Sequence, residues 1–376
     1  MDSGLIEIRG DELEGGGQIL RSSVALSALL GKPIRITNIR GKRPSPGMKA
    51  QHVTAIRALA RICSAKVEGL ELGSRVLEFN PGDITSDRFE FEVGTAGSIS
   101  LVLQAILPVL SLAPSKVTAT ISGGTDVRWS PPIDYFRFVA LPILSKMGPR
   151  VDLRLIRRGH YPKGGGRVEI SVEPAEKLDP ILMKEFGELV EVRGLSHCTG
   201  LPRHVAERQA GAAEALLRRA IHSPISIDLE WDPHGPDRGL GPGSGITLYA
   251  KTSSGAILGA DALGERGRPA EEVGREAASK LLREVSSGKP VDRHMADMII
   301  PYMAIASGRS EIGASELTLH SLTNVRISEA ICGVRFEIRG DLGAPAELAV
   351  EGLALRCRTP RWSPLEPPRW AFRPPP

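Results

Sequence analysis

The chain has no run approaching ~18 unbroken apolar residues, and its first residues, Met1-Asp2-Ser3-Gly4, carry neither a basic start nor a hydrophobic signal core. The first absence argues against a membrane partner and the second against export, so a soluble, cytoplasmic protein is expected. Cysteine is scarce. Cys63, Cys198, Cys332 and Cys357 lie far apart and form no CxxC pair, so they indicate neither a zinc site nor a disulfide framework and are expected as reduced thiols. The glycine run Gly15–Gly17 is not followed by Gly-Lys-Ser/Thr, which excludes a Walker loop, and no RNP or KH signature marks a plain RNA-binding module. A net charge of +4 gives no strong basic field. The arginines near glycine and proline, namely Arg40, Arg43, Arg128, Arg157, Arg158, Arg203 and Arg208, still form a candidate landing surface for phosphate groups.

What is present is enough for a large core: 376 residues, 41% of them hydrophobic, suggest two domains or one domain with an insertion. Glycine-rich loops recur, each leading into an apolar helix and then a strand. Gly15-Gly16-Gly17 opens a helix over 18–30 followed by a strand over 34–39. Gly94-Thr95-Ala96-Gly97 opens another over 98–111 followed by a strand over 117–121. A third copy is expected from Asp292, with a helix over 295–306 and a strand over 316–319. Its excess spacing is absorbed by an insertion with its own pattern: strands over 190–195, 225–229 and 246–251, and helices over 202–221 and 270–284. The division read from this is 1–187 for two repeats, 188–288 for an inserted α/β domain, 289–342 for the third repeat, and a proline-rich tail over 343–376, irregular in its last twenty residues. Packing of the repeats about a pseudo-threefold axis would bring together the loops 40–47, 123–132 and 320–324.

Three constellations carry chemistry. Glu14-Gly-Gly-Gly-Gln18-Ile-Leu-Arg21 is a glycine turn at a helix N-terminus, where unpaired backbone N–H groups favour an anion; Glu14 is suited to a divalent metal and Arg21 to a phosphate. Arg40-Gly-Lys-Arg43-Pro-Ser-Pro-Gly47, with Gln51 just beyond, combines cations with residues of restricted conformation. Leu317-Thr-Leu-His320-Ser-Leu-Thr-Asn324 puts one imidazole where a strand is expected to end and a helix to begin.

With Gly94-Thr-Ala-Gly-Ser98, Ser122-Gly-Gly-Thr-Asp126, Gly159-His-Tyr-Pro-Lys-Gly-Gly-Gly166, Leu201-Pro-Arg-His-Val-Ala-Glu-Arg208, Gly264-Glu-Arg-Gly267 and His294-Met-Ala-Asp297, these strings resemble the RNA 3'-terminal phosphate cyclases over about 7–341. The resemblance implies an α/β (α+β) fold of three βαβαββ repeats with a small inserted α/β domain. It also implies an ATP-dependent activity that converts an RNA 3'-phosphate end to a 2',3'-cyclic phosphodiester through histidine-AMP and RNA-adenylate intermediates. His320 matches the nucleophile and Glu14 the acid that contacts Mg2+ or Mn2+. Arg21, Arg40, Arg43 and Gln51 match positions that bind phosphates or support adenylylation. Gln104, Pro131, His294, Met295, Ala296, Asp297 and Met298 match the ATP site, with Pro131 and His294 on the two faces of adenine. The implied partners are ATP and RNA ending in a 3'-phosphate; the oligomeric state is left open. Met298 departs from the glutamine that relatives often carry there. The alternative reading, a non-catalytic cyclase-like protein of ribosome biogenesis, predicts loss of the nucleophile and of much of the ATP site, whereas His320 and Glu14 are both present.

Overall fold

The computed structural model describes residues 4–94, 96–234 and 241–357. Thr95 of the second glycine loop and the proline- and tryptophan-containing segment from residue 358 onward lie outside the described residues. No helix among them is long and apolar enough to cross a membrane.

The first repeat runs β1 (Ile6–Arg9), α1 (Gly17–Leu30), β2 (Ile34–Thr37), α2 (Ala50–Ile62), β3 (Lys66–Glu68) and β4 (Leu77–Asn80). The second runs β5 (Arg88–Glu92), α3 (Ile99–Leu110), β6 (Val117–Gly123), then α4, which starts at Ile133–Tyr135 and continues through a π-helical turn, Phe136–Ala140, into Leu141–Ser145. It ends with β7 (Arg150–Arg157) and β8 (Gly166–Glu173). The third opens with the two-residue β9 (Leu182–Met183) and is interrupted at once. The interruption contains β10 (Leu189–Thr199), α5 (His204–Leu217), β11 (Ile225–Asp232), β12 (Gly243–Thr252), β13 (Ile257–Leu263) and α6 (Ala270–Ser286). The third repeat then resumes as α7 (Arg293–Ile305), β14 (Ser307–Ala314), α8 (Leu319–Cys332), β15 (Phe336–Arg339) and β16 (Ala346–Leu353).

Each repeat builds a four-stranded sheet in which the strands, numbered within the repeat, lie in the order first, second, fourth, third: β1-β2-β4-β3, β5-β6-β8-β7 and β9-β14-β16-β15. The first two strands are parallel in each case and the remaining pairs antiparallel. Parallel neighbours need a crossover helix, and the short antiparallel pairs do not. One continuous apolar core runs through all three repeats, with α1 against α2, α3 and α8. The insertion has its own sheet, β11-β10-β12-β13, covered by α5 and α6 over a second core that includes Leu217, Ile246, Leu248, Ala277 and Leu281. All four cysteines are free thiols, three of them buried.

The third repeat departs from the sequence reading in three places. The strand expected over 316–319 is reduced to an isolated bridge from Leu317 to Leu342 and the first helical residue, Leu319; the strand of that position is β14. Alternating Leu317-Thr318-Leu319 mimics a strand, but the Thr318 hydroxyl accepts the Ser321 N–H at 2.9 Å and caps α8. The division at 343 also cuts off β16, which pairs with both β14 and β15. Finally, β9 places the start of the third sheet before the insertion rather than after it.

Candidate active site at the helix N-termini

The glycine turn before α1 is shaped around two side chains. The Glu14 carboxylate folds back over Gly16, so closely that a Cβ there would overlap its oxygens, and the His52 imidazole lies against Gly17 in the same way. A side chain at either position would displace the Glu14 carboxylate or the His52 ring from its place. The carboxylate thus lies at the start of α1, which favours negative charge. It is 7% exposed and forms an ion pair with Arg43. The Glu14 N–H donates to Thr323 Oγ1 on α8 at 3.4 Å, which ties the turn to the helix that carries His320.

His320 is therefore on the first turn of α8, not at the end of a strand. Its Nδ1 lies 4.0 Å from Glu14 Oε2, and its side chain is half-exposed. Partial burial, together with Arg21, Arg43 and His294, pushes its pKa down to about 4, so the ring is neutral at physiological pH. The turn beneath it is clamped from α7. Asp297 Oδ1 accepts the hydroxyls of Thr318 at 2.5 Å and Ser321 at 2.6 Å, and Asn324 Nδ2 donates to the Asp297 carbonyl at 2.5 Å. Asn324 in turn accepts Ser22 Oγ of α1 at 2.6 Å. Burial raises the Asp297 carboxyl to about 7, against the pull of the Ser321 and Thr318 hydroxyls.

Arg21 is buried on α1, donates to Gln18 Oε1 at 2.6 Å and has no carboxylate partner among the described residues. Burial lowers its pKa to about 10, and it stays charged. It shares a narrow cavity with Gln104, Met298, Pro108, Phe136 and Tyr302; Gln104 Oε1 is buried there without a hydrogen bond. A desolvated guanidinium without a counter-ion favours an anionic ligand.

The other arginines of the expected phosphate surface are engaged within the protein. Arg40, at φ 55°, donates to the carbonyls of Ser45 and Gly47 at 2.7 and 2.8 Å, so it shapes its own loop. Arg128 pairs with Glu265, Arg203 with Glu207 and Arg208 with Glu271, and Arg157 donates to the Gly165 carbonyl. Arg158 is buried in a carboxylate cluster. Arg43 is paired as well, with Glu14, and it and Arg21 are the arginines whose charges act on His320.

Around the expected adenine site, Pro131 precedes α4, and the Tyr135 ring meets the exposed His294 ring edge-on, with centroids 6.2 Å apart. Met295 and Ala296 are fully buried core residues, so their side chains are unavailable to a ligand. Gln51 is partly buried in the first turn of α2. Sequence reasoning missed Asp292 and His52. Asp292 caps α7: its Oδ1 accepts the N–H groups of His294 and Met295 and the Tyr135 hydroxyl, while its Oδ2 accepts Gly259 N–H from the insertion. An Asp directly before a helical run was the available signal. His52 carried none, because its role is set by contact with Gly17 across the fold.

The family model described as RNA 3'-terminal phosphate cyclase matches residues 12–338. The chain belongs to the RNA 3'-terminal phosphate cyclase family. Among its relatives, proteins named RNA 3'-terminal phosphate cyclase from Ignicoccus hospitalis and Methanopyrus kandleri are 52% and 49% identical to it, over 93% and 92% of this chain and 99% and 98% of their own lengths. That of Thermococcus gammatolerans is 49% identical over 92% of this chain and 97% of its own. The family match thus contains β1's neighbouring turn, α1, α7 and α8, the elements that bring Glu14, Arg21, Asp297 and His320 together.

Proposed function

We propose that this protein is an ATP-dependent RNA 3'-phosphate cyclase that works through a covalent AMP on His320. The observation that carries the reading is the imidazole on the first turn of α8, 4.0 Å from the Glu14 carboxylate and within the fields of Arg21 and Arg43. As a neutral imidazole, His320 offers a ring-nitrogen lone pair to the α-phosphate of ATP. A P–N bond forms and the P–O bond to pyrophosphate breaks. An oxygen of the RNA 3'-phosphate then attacks the same phosphorus, the P–N bond breaks and His320 is regenerated. The neighbouring 2'-hydroxyl attacks the activated 3'-phosphate, loses its proton and expels AMP, leaving the 2',3'-cyclic end. Arg21 and Arg43 hold the phosphates, Asp297 positions the turn that carries His320, and Gln104 offers a free carbonyl oxygen to the nucleotide.

A buried carboxylate at a helix N-terminus, whose partner among the described residues is the half-exposed Arg43, fits Mg2+ or Mn2+ held by Glu14 and the substrate's own oxygens. When bound, the ion neutralises phosphate charge. Incubation with ATP and Mg2+ followed by intact-mass measurement should show the gain of one AMP. RNA with a 3'-phosphate should then become phosphatase-resistant. Unmodified protein and unchanged RNA would defeat the reading.

His294→Ala should weaken ATP use in self-adenylylation by about 5- to 150-fold, the loss of about 1–3 kcal/mol of stacking, whereas His294→Phe should keep most of it; equal damage by both would rule out stacking. Arg43→Ala should lower the salt slope of binding to 3'-phosphate RNA by about 0.7. Arg40→Ala should leave that slope in place and lower the thermal midpoint, because its guanidinium bonds its own loop.

A further inference from the structure

A second cluster of ligand-type side chains lies away from His320, where the second repeat meets the insertion. Asp126 follows β6, His160 lies in the turn between β7 and β8, and His197 is on β10 of the inserted sheet. All three are buried, at 3%, 4% and 1% exposure, and one ligand atom from each lies within 4.8 Å of those of the other two. His197 Nε2 is 3.6 Å from Asp126 Oδ1, and the two imidazoles stack with centroids 5.6 Å apart.

The hydrogen bonding around them is incomplete. Both ring nitrogens of His197 and the Nε2 of His160 have no hydrogen-bond partner among the described residues. Leaving such atoms buried and unpaired is costly, and native structures rarely do so without a ligand or a water. Both rings pack against glycine backbone: a Cβ on Gly243 would overlap the His160 ring, and one on Gly245 would come within 2.9 Å of His197 Cε1. The backbone fixes the other side, where Asp126 and His160 form an isolated parallel bridge and the Thr125 N–H donates to the Gly159 carbonyl at 2.9 Å.

Charge supports a cation here. Arg158 is the adjacent guanidinium, and its short bonds go elsewhere: 2.7 Å to Asp134 and 2.7 and 2.9 Å to Glu230, against 3.2 and 3.4 Å to Asp126. Thr125 Oγ1 donates to Asp126 Oδ2 at 2.6 Å, and Oδ1, which takes a 3.4 Å bond from Arg158, faces His197 at 3.6 Å. The carboxylate is therefore only partly neutralised by its neighbours.

We propose that Asp126, His160 and His197 form a binding site for a divalent transition metal of the zinc class, which fastens the inserted domain to the second repeat. Two imidazole nitrogens and one carboxylate oxygen are a zinc-type donor set, and three protein ligands leave a fourth position for water. The site is separate from the Glu14 carboxylate, and it does not depend on the reaction proposed above. Because His197 comes from the insertion and the other two ligands come from the repeat, the ion would act as a cross-link between the two units rather than as a support within either.

The test uses the full chain, stripped with a chelator, loaded with Zn2+ and desalted. Wild type should retain one zinc per chain and show a higher thermal midpoint with zinc than without. Glu14→Ala should retain it equally. In the His160→Ala, His197→Ala double variant, affinity should fall by at least the roughly 10–100-fold that changes around a metal site cost. Wild type without retained zinc, or a folded double variant that retains as much, would overturn the site. Should the double variant not fold, Co2+ bound to wild type decides. An intense tetrahedral spectrum without thiolate charge transfer supports nitrogen and oxygen ligation, and the weak spectrum of the hydrated ion refutes it.

Discussion

His320→Ala should abolish covalent AMP, lowering self-adenylylation by about 10⁴-fold or more, while leaving the fold and noncovalent ATP binding in place. The side chain is half-exposed on the first turn of α8, and the contacts that hold this turn come from Thr318, Ser321 and Asn324 rather than from the imidazole. Its loss should therefore remove the nucleophile without releasing the helix. An unchanged thermal midpoint with no label is the expected pair of results; label that persists, or AMP mapped to another residue, would refute the assignment. The pH dependence is equally specific. A histidine of ordinary pKa, near 6.5, would begin to protonate at the lower edge of the physiological range. His320 instead has its pKa pushed to about 4, through burial and the fields of Arg21, Arg43 and His294. The neutral, nucleophilic form predominates above that value and is lost as the pH falls through it. The imidazole resonance that disappears in His320→Ala should titrate near pH 4 in the free protein; a midpoint near 6.5 would show that the surrounding cations do not act on the ring.

The residues that build this site were legible to different degrees, and the differences have physical causes. The turns after β2 and β6 could be placed from sequence because glycine and proline mark them locally. So could the helices of the insertion, whose alternation of small apolar and charged residues has a helical period. Strand β14, Ser-Gly-Arg-Ser-Glu-Ile-Gly-Ala, could not, because its pairing with β16 and β9 compensates for glycine and charge inside it. Strand β9 is two residues long and too short for any periodicity. Strand β16 alternates plainly, but it lies where proline becomes frequent and so was assigned to the tail. His320, Glu14 and Arg21 do converge, yet nothing local in the sequence shows that Arg40 bonds its own loop, that Met295 and Ala296 are core residues, or that Asp297 holds the cap of α8. Such roles depend on contacts between residues far apart in the chain.

Arg158 shows the same limit with the largest consequence for stability. In the sequence it is one of two adjacent arginines beside a glycine, suited to an exposed phosphate contact; in the fold it is 4% exposed and bridges Asp126, Asp134 and Glu230. Those carboxylates outweigh the opposing effect of burial and raise its pKa, so the guanidinium is charged at any accessible pH. Asp126 and Asp134 belong to the second repeat and Glu230 to β11 of the insertion, so the arginine links the two units through its planar donors, which a lysine could not supply in the same geometry. Arg158→Met keeps much of the volume but leaves Asp126 and Asp134, both buried, facing each other with only Arg137 to offset Asp134. Breaking a buried pair from one side costs about 3–5 kcal/mol, and Arg158→Lys should recover only part of that. Measured by chemical denaturation of chelator-treated protein, a loss below about 1 kcal/mol, the range of a surface pair, would show that the cluster is hydrated and that the arginine is not what joins the insertion to the repeat.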